Sequence, residues 1–216
     1  MSKIQTNKLQ HTANGAAEFT LPTSDGTNGQ VLKTNGSGTL SFGADQGGKI
    51  LQVVSVSDAV RESVGTVSLS SANTYYDTPF AVTITPSATS SKILLMGHVM
   101  GEFNVNDYLI GWRINRAISG GASTGIQGAA AGSRARVISV VNEAFTSANT
   151  DSTPTVMTFA GLLDSPSTTS AITYTFQVNS TQTASKTFYY NQTVNSADAV
   201  DYERGLSWIT AQEISG

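Results

Sequence analysis

The chain has 216 residues and no cysteine, and charged side chains make up only 12% of it, against about 25% in average usage. Without cysteine, neither a disulfide nor a thiolate metal site is possible. The 12 basic and 15 acidic residues leave a net charge of −3. They include no Lys/Arg run that would follow a phosphate backbone, so nucleic acid is not an expected partner. The longest apolar runs, such as Ile93-Leu94-Leu95-Met96, fall far short of the roughly 20 residues a membrane span needs. The opening MSKIQTNKLQHTANG lacks the apolar stretch of a secretory signal. The expectation is a soluble protein made in a cytoplasm, with no membrane partner. A sustained 3.6-residue period is also missing, which argues against helices.

What fills the space is Ser, Thr, Asn, Gly and Ala, and from Ile50 onward a period of two. Phe80, Val82 and Ile84 alternate with Ala81 and Thr83. Tyr108, Ile110, Trp112 and Ile114 form a second such series, and Ile172, Tyr174, Phe176 and Val178 a third. Further strands are expected at 50–56, 64–70, 91–103, 134–145, 155–163, 186–194 and 205–214, with turn-rich stretches between them. About ten strands at this spacing predict an all-β fold, an antiparallel β-sandwich or jelly roll.

Strand 91–103 is apolar on both faces. Ile93, Leu95, Val99 and Phe103 share one face, and Leu94, Met96, His98 and Met100 the other. In 205–214, Leu206 and Trp208 oppose Ile209 and Ala211. A sandwich strand needs one apolar face, and a second implies a cover, most simply a neighbouring subunit. The alternative is a closed barrel covered by its own loops. Met96, His98, Met100 and Trp208 are the expected subunit contacts.

Residues 1–49 read differently. A polar start with isolated Ile4, Leu9 and Phe19 leads into LPTSDGTNGQVLKTNGSGTLSFG (21–43). Two short strands separated by Asn-Gly turns are marginal alone in water. Three copies about a threefold axis would bury Val31, Leu32, Leu40 and Phe42 together. The expected organisation is thus an extended N-terminal β-hairpin or shaft segment (1–49) followed by a β-sandwich (50–216).

Reaction chemistry is not visible. Gly121-Ala-Ser-Thr-Gly125 fits G-x-S-x-G, but both histidines, His11 and His98, precede Ser123, which excludes the hydrolase order Ser, acid, His; a loop is the plainer reading. His98 and Glu102, four apart on a strand, lie about 13 Å from each other at roughly 3.3 Å per residue, too far for one metal ion. Asn104, Asn106 and Asp107, or Asp198 and Asp201, lack the calcium-loop register. Arg113 with Arg116, or Arg134 with Arg136, would suit an acidic sugar or carboxylate, but a solvated or subunit-facing arginine is the plainer reading of each. No catalytic residue, metal or cofactor is expected.

The segment Asp25–Leu32 (DGTNGQVL) followed by Gly36–Phe42 (GSGTLSF) resembles a stretch recurring in tailed-bacteriophage virion proteins, especially fibres and appendages of marine and cyanobacterial phages. TSSKILLMGHV (89–99) and YERGLSWITAQEIS (202–215) look like the C-terminal β-domain that often follows, similar to the trimeric jelly rolls of the tumour-necrosis-factor/C1q type. The resemblance implies a homotrimeric structural virion protein, assembled in the host cytoplasm, either a tail fibre contributing to host attachment or a capsid head fibre or decoration protein. A polysaccharide depolymerase is the enzymatic alternative. Residues 1–20 would then bind other virion proteins, with Ile4, Leu9 and Phe19 as anchors. A host surface polysaccharide would meet Tyr75, Tyr76, Tyr189, Tyr190 and Tyr202, aromatics set beside Asn, Thr and Asp, at the end of the sandwich away from the shaft; the alternative is that alternating tyrosines such as Tyr190 pack in the core.

Overall fold

The computed structural model describes residues 6–10, 18–45, 49–104, 110–141, 152–182 and 185–216. The expectations for Ile4, Asn106, Asp107 and Tyr108 fall outside these residues. The chain separates into two compact units, Met1–Lys49 and Ile50–Gly216.

In the first unit, β1 (Lys8–Gln10) pairs with β2 (Glu18–Thr20), and β3 (Gln30–Thr34) with β4 (Leu40–Ala44), both antiparallel. The β3–β4 turn is built by Asn35, whose side-chain oxygen accepts from the backbone N–H of Ser37 and Thr39. Gly36 and Gly38 take the positive φ values of +79° and +82° that this turn requires. Leu9 faces Phe19, and Leu32 faces Phe42. Leu9, Phe19, Val31 and Leu32 are exposed, so the described residues of this unit bury little apolar surface.

The second unit contains β5 (Ile50–Ser55), α1 (Asp58–Arg61), β6 (Gly65–Leu69), β7 (Thr74–Ile84), β8 (Lys92–Phe103), β9 (Ile110–Ile118), β10 (Ser123–Ile126), β11 (Ser139–Val140), β12 (Thr155–Asp164), β13 (Ile172–Ser180), β14 (Lys186–Tyr190) and β15 (Trp208–Ile214). Eight of these form nested antiparallel pairs: β5 with β15, β7 with β13, β8 with β12, and β9 with β10. Counted in order, the first strand pairs with the eighth, the second with the seventh, the third with the sixth, and the fourth with the fifth. That is a jelly roll, an antiparallel β-sandwich. Its sheets run β5-β15-β8-β12 and β10-β9-β13-β7, and β14 with β6 extends the first.

The alternating residues explain the core. Phe80, Val82 and Ile84 of β7, Ile110, Trp112 and Ile114 of β9, and Ile172, Tyr174, Phe176 and Val178 of β13 all point inward and are buried. From the other sheet come Ile93, Leu95, Val99 and Phe103 of β8, with Ile209 and Ala211 of β15. Trp112 stacks on Phe176 with ring centroids 5.2 Å apart, and Phe159 of β12 closes the cluster. Each such ring removes enough apolar surface from water to contribute about 2–3 kcal/mol. Gly161, at φ +77°, sits where the β12–β8 register shifts between Phe159 and Leu162, a bulge that needs a left-handed residue.

Two local expectations are corrected. Ser123 lies on edge strand β10, paired to Ala117, and not in a loose loop. Within 134–145, the strand among the described residues is the two-residue β11.

Candidate functional site

The two sheets present outer faces of opposite character. On the first, strand register lines up Val53, Gln212, Leu94 and Leu163 in one row across β5, β15, β8 and β12. A second row places Trp208, His98 and Thr158 side by side, and Met100 faces Val156. Val53 is 57% exposed, Val156 52% and Leu163 50%. Met96, His98 and Trp208 are half-buried on this face. Met100 is already buried within its own chain, with its sulfur packed against Gly205. His98 Nδ1 lies 3.4 Å from the Thr158 hydroxyl.

The outer face of the second sheet is polar. Period two puts Tyr75, Asp77, Gly111, Arg113, Gln177 and Asn179 on this face, next to one another through the β13 register with β7 and β9. The Arg113 guanidinium lies over the Tyr75 ring, 3.6 Å from its centroid. Arg113 Nε donates to Gln177 Oε1 at 2.7 Å and Nη1 to Gln127 Oε1 at 2.8 Å. Gln177 in turn donates to Asp77 at 2.6 Å. Gly125 on β10 lets the guanidinium lie flat, because a Cβ there would fall 2.5 Å from Nη1.

The chain after β10 then folds back over this face. Gly128 N–H donates to the Val137 carbonyl, and Ile138 N–H to that of Trp112. Val137 occupies the space above Gly111, where a Cβ would come within 2.3 Å of Val137 Cγ1. Arg136 Nε donates to the Gly128 carbonyl at 2.8 Å, and the Tyr75 hydroxyl donates to the Arg136 carbonyl. Burial pushes the Tyr75 hydroxyl pKa up, while Arg113 and Arg136 pull against it.

This fold-back leaves a concavity of about 550 Å³ lined by Tyr75, Arg113, Gln127, Arg134, Arg136 and Asn179 among others. An apolar recess of about 150 Å³ adjoins it, formed by Ile110, Val137 and Val140, and Asn179 borders both. Asn179 is 2% exposed, and its Oδ1 has no hydrogen-bond partner among the described residues. Gln52 of β5 bonds the Thr85 carbonyl beyond the far end of β7, so the concavity lies at the end of the sandwich opposite Ile50.

The expected tyrosines scatter. Tyr75 lines the concavity, whereas its neighbour Tyr76 faces inward with its hydroxyl bonded to Ser70 and Ser71. Tyr190 packs edge-on against Phe80 at 5.6 Å in the core, and Tyr189 lies on the opposite face of β14. Tyr202 lines a separate 240 Å³ concavity with Asp198, Glu203 and Arg204. The arginines regroup too: Arg113 joins Arg134 and Arg136, while Arg116 forms a 2.8 Å ion pair with Asp164. Asn179, Gln127 and Gln177 were not singled out by sequence, because an amide carries no signal until its burial is known. Among the described residues, no group of three or more His, Asp or Glu side chains is placed to hold a metal ion.

Fold and faces together define an all-β jelly-roll module with one apolar and one polar outer face. No family model and no curated protein matches the chain. Two solved structures are similar at low scores. A chain of the infectious bursal disease virus Gt strain gives a TM-score of 0.39 at 11% identity, over 95% of this chain and 49% of that one. The VP2 subviral particle of infectious bursal disease virus gives 0.32 at 10%, over 92% and 51%. The chain spans about half the length of these structures, and likeness at this level does not bear on function.

Proposed function

We propose that the chain is a structural protein of a tailed-bacteriophage virion, a homotrimeric fibre or appendage whose jelly roll contributes to host attachment. One observation carries the reading: the outer face of the β5-β15-β8-β12 sheet exposes Val53, Val156 and Leu163 beside half-buried Met96 and Trp208. A sheet face with this many exposed apolar side chains stays soluble when a second copy covers it. Three copies arranged about this face leave the polar sheets outward, free to meet a ligand. The resemblance of residues 21–43 to phage fibre segments supports the virion setting, and the exposed Leu9 and Phe19 supply anchors for other virion proteins.

Three particle experiments test the reading. Gold-labelled antibody against residues 50–216 should decorate the tail. Particles lacking the protein should adsorb to host cells more slowly than wild type. Label on the capsid together with unchanged adsorption would instead favour a head fibre or decoration protein. Deleting residues 2–20 should leave the trimer intact but keep it off the particle.

A further inference from the structure

The concavity on the polar sheet has more chemistry than a solvated surface needs. Three arginines, Arg113, Arg134 and Arg136, line one space in a chain of net charge −3. Arg113 is fixed by the Tyr75 ring, Gln127 and Gln177. The Arg134 side chain has no hydrogen-bond partner among the described residues and remains available to an anion. Asn179 in this lining buries an acceptor oxygen with no hydrogen-bond partner among the described residues, and a buried acceptor left unpaired costs about 1–3 kcal/mol. Asn179 lines both the charged concavity and the apolar recess of Ile110, Val137 and Val140. A ligand that satisfies all three features carries an anionic group, an N–H donor and a small apolar group close together.

We propose that this site binds a carboxylated, N-acetylated sugar. The carboxylate meets Arg134 and Arg136, the acetamido N–H donates to Asn179 Oδ1, and the acetyl methyl enters the apolar recess. The Tyr75–Arg113 stack forms the wall against which the ring lies. Planar guanidinium suits a carboxylate through paired N–H donors. A recess of about 150 Å³ lined by Ile110, Val137 and Val140 has room for a methyl group. For the source of the sugar, a glycan on the host surface, the inference rests on the attachment reading; the binding itself does not.

The test uses the full chain in solution, without particles: saturation-transfer difference NMR titrates N-acetylneuraminate, glucuronate and N-acetylglucosamine directly, and inorganic phosphate, which has no carbon-bound proton, as a competitor. N-acetylneuraminate should bind with a dissociation constant of about a millimolar and at least about tenfold more tightly than the other three. Its acetyl methyl should show the strongest transfer. Arg134→Gln, at a side chain that bonds nothing among the described residues, should keep the melting temperature and lose at least about tenfold in affinity. Equal binding of N-acetylglucosamine, equal binding of glucuronate, competition by phosphate alone, or unchanged affinity in Arg134→Gln would each overturn the proposal. Sugar binding that survives while adsorption proves independent of the protein would leave the site standing and remove the attachment role.

Discussion

The guanidinium of Arg113 lies 3.6 Å from the centroid of the Tyr75 ring, held there by bonds to Gln177 and Gln127. The two residues sit on β9 and β7, joined through β13, so the contact spans three strands of one sheet. Lysine would keep the charge but lose the planar stack and the fixed fork of donors. Arg113→Lys should destabilise the domain by about 1–2 kcal/mol, read as a lower urea midpoint with unchanged slope.

Gly101 on β8 tests the packing beneath the β14 pairing. A Cβ there would lie 2.4 Å from the Tyr189 carbonyl oxygen and 2.5 Å from the Phe188 ring. Backbone cannot swing aside as a side chain can, so Gly101→Ala should cost about 3 kcal/mol. Gly125→Ala, which meets the tip of Arg113, should cost less, about 1 kcal/mol. Urea titrations of the two variants should rank them in that order.

Acid stability should depend on Glu213. It is buried between the sheets where Oε1 accepts from Ser87 N–H, Ser87 Oγ and Ser91 Oγ, and Oε2 from Gln52. Burial alone would raise its pKa, but the Ser87, Ser91 and Gln52 donors outweigh that and bring it from 4.5 down to about 2. The folded state therefore holds the proton less readily than the unfolded chain. This contribution is complete above about pH 4.5 and is lost as the pH falls toward about 2, on the order of 3 kcal/mol in all. Glu213→Gln should be less stable at neutral pH and should show a flatter loss of stability between about pH 5 and 3. Parallel curves for the two proteins would contradict the assignment.

Period two made the sandwich readable, because β7, β9, β13 and β8 each bury every second residue. The same rule separates the residues that sequence adjacency had joined. Tyr75 and Tyr76 must face opposite ways, as must Tyr189 and Tyr190, and Arg113 and Arg116, three apart, fall on opposite faces. The partners of Arg113 come instead from a non-sequential source, the fold-back over Gly111 that brings in Arg134, Arg136 and Val137. That path has no periodicity to read. Likewise β10 hides in a Gly/Ala-rich stretch, since an edge strand with one small-residue face buries too little to show a pattern.

Subunit contact should fail when charge is placed on the apolar outer face. Val53→Glu and Val156→Glu alter side chains more than half exposed in the single chain. The fold should survive both, with stability changed by less than about 0.5 kcal/mol per chain. Sedimentation at micromolar concentration should show these variants dissociated, whereas Thr173→Glu on the polar sheet should stay assembled.

Assembly is the claim on which the account turns, and light scattering coupled to size exclusion measures it directly. The full chain of 22.6 kDa should elute as one species of three times that mass, unchanged on dilution through the micromolar range. A monodisperse species at the mass of one chain would contradict the account.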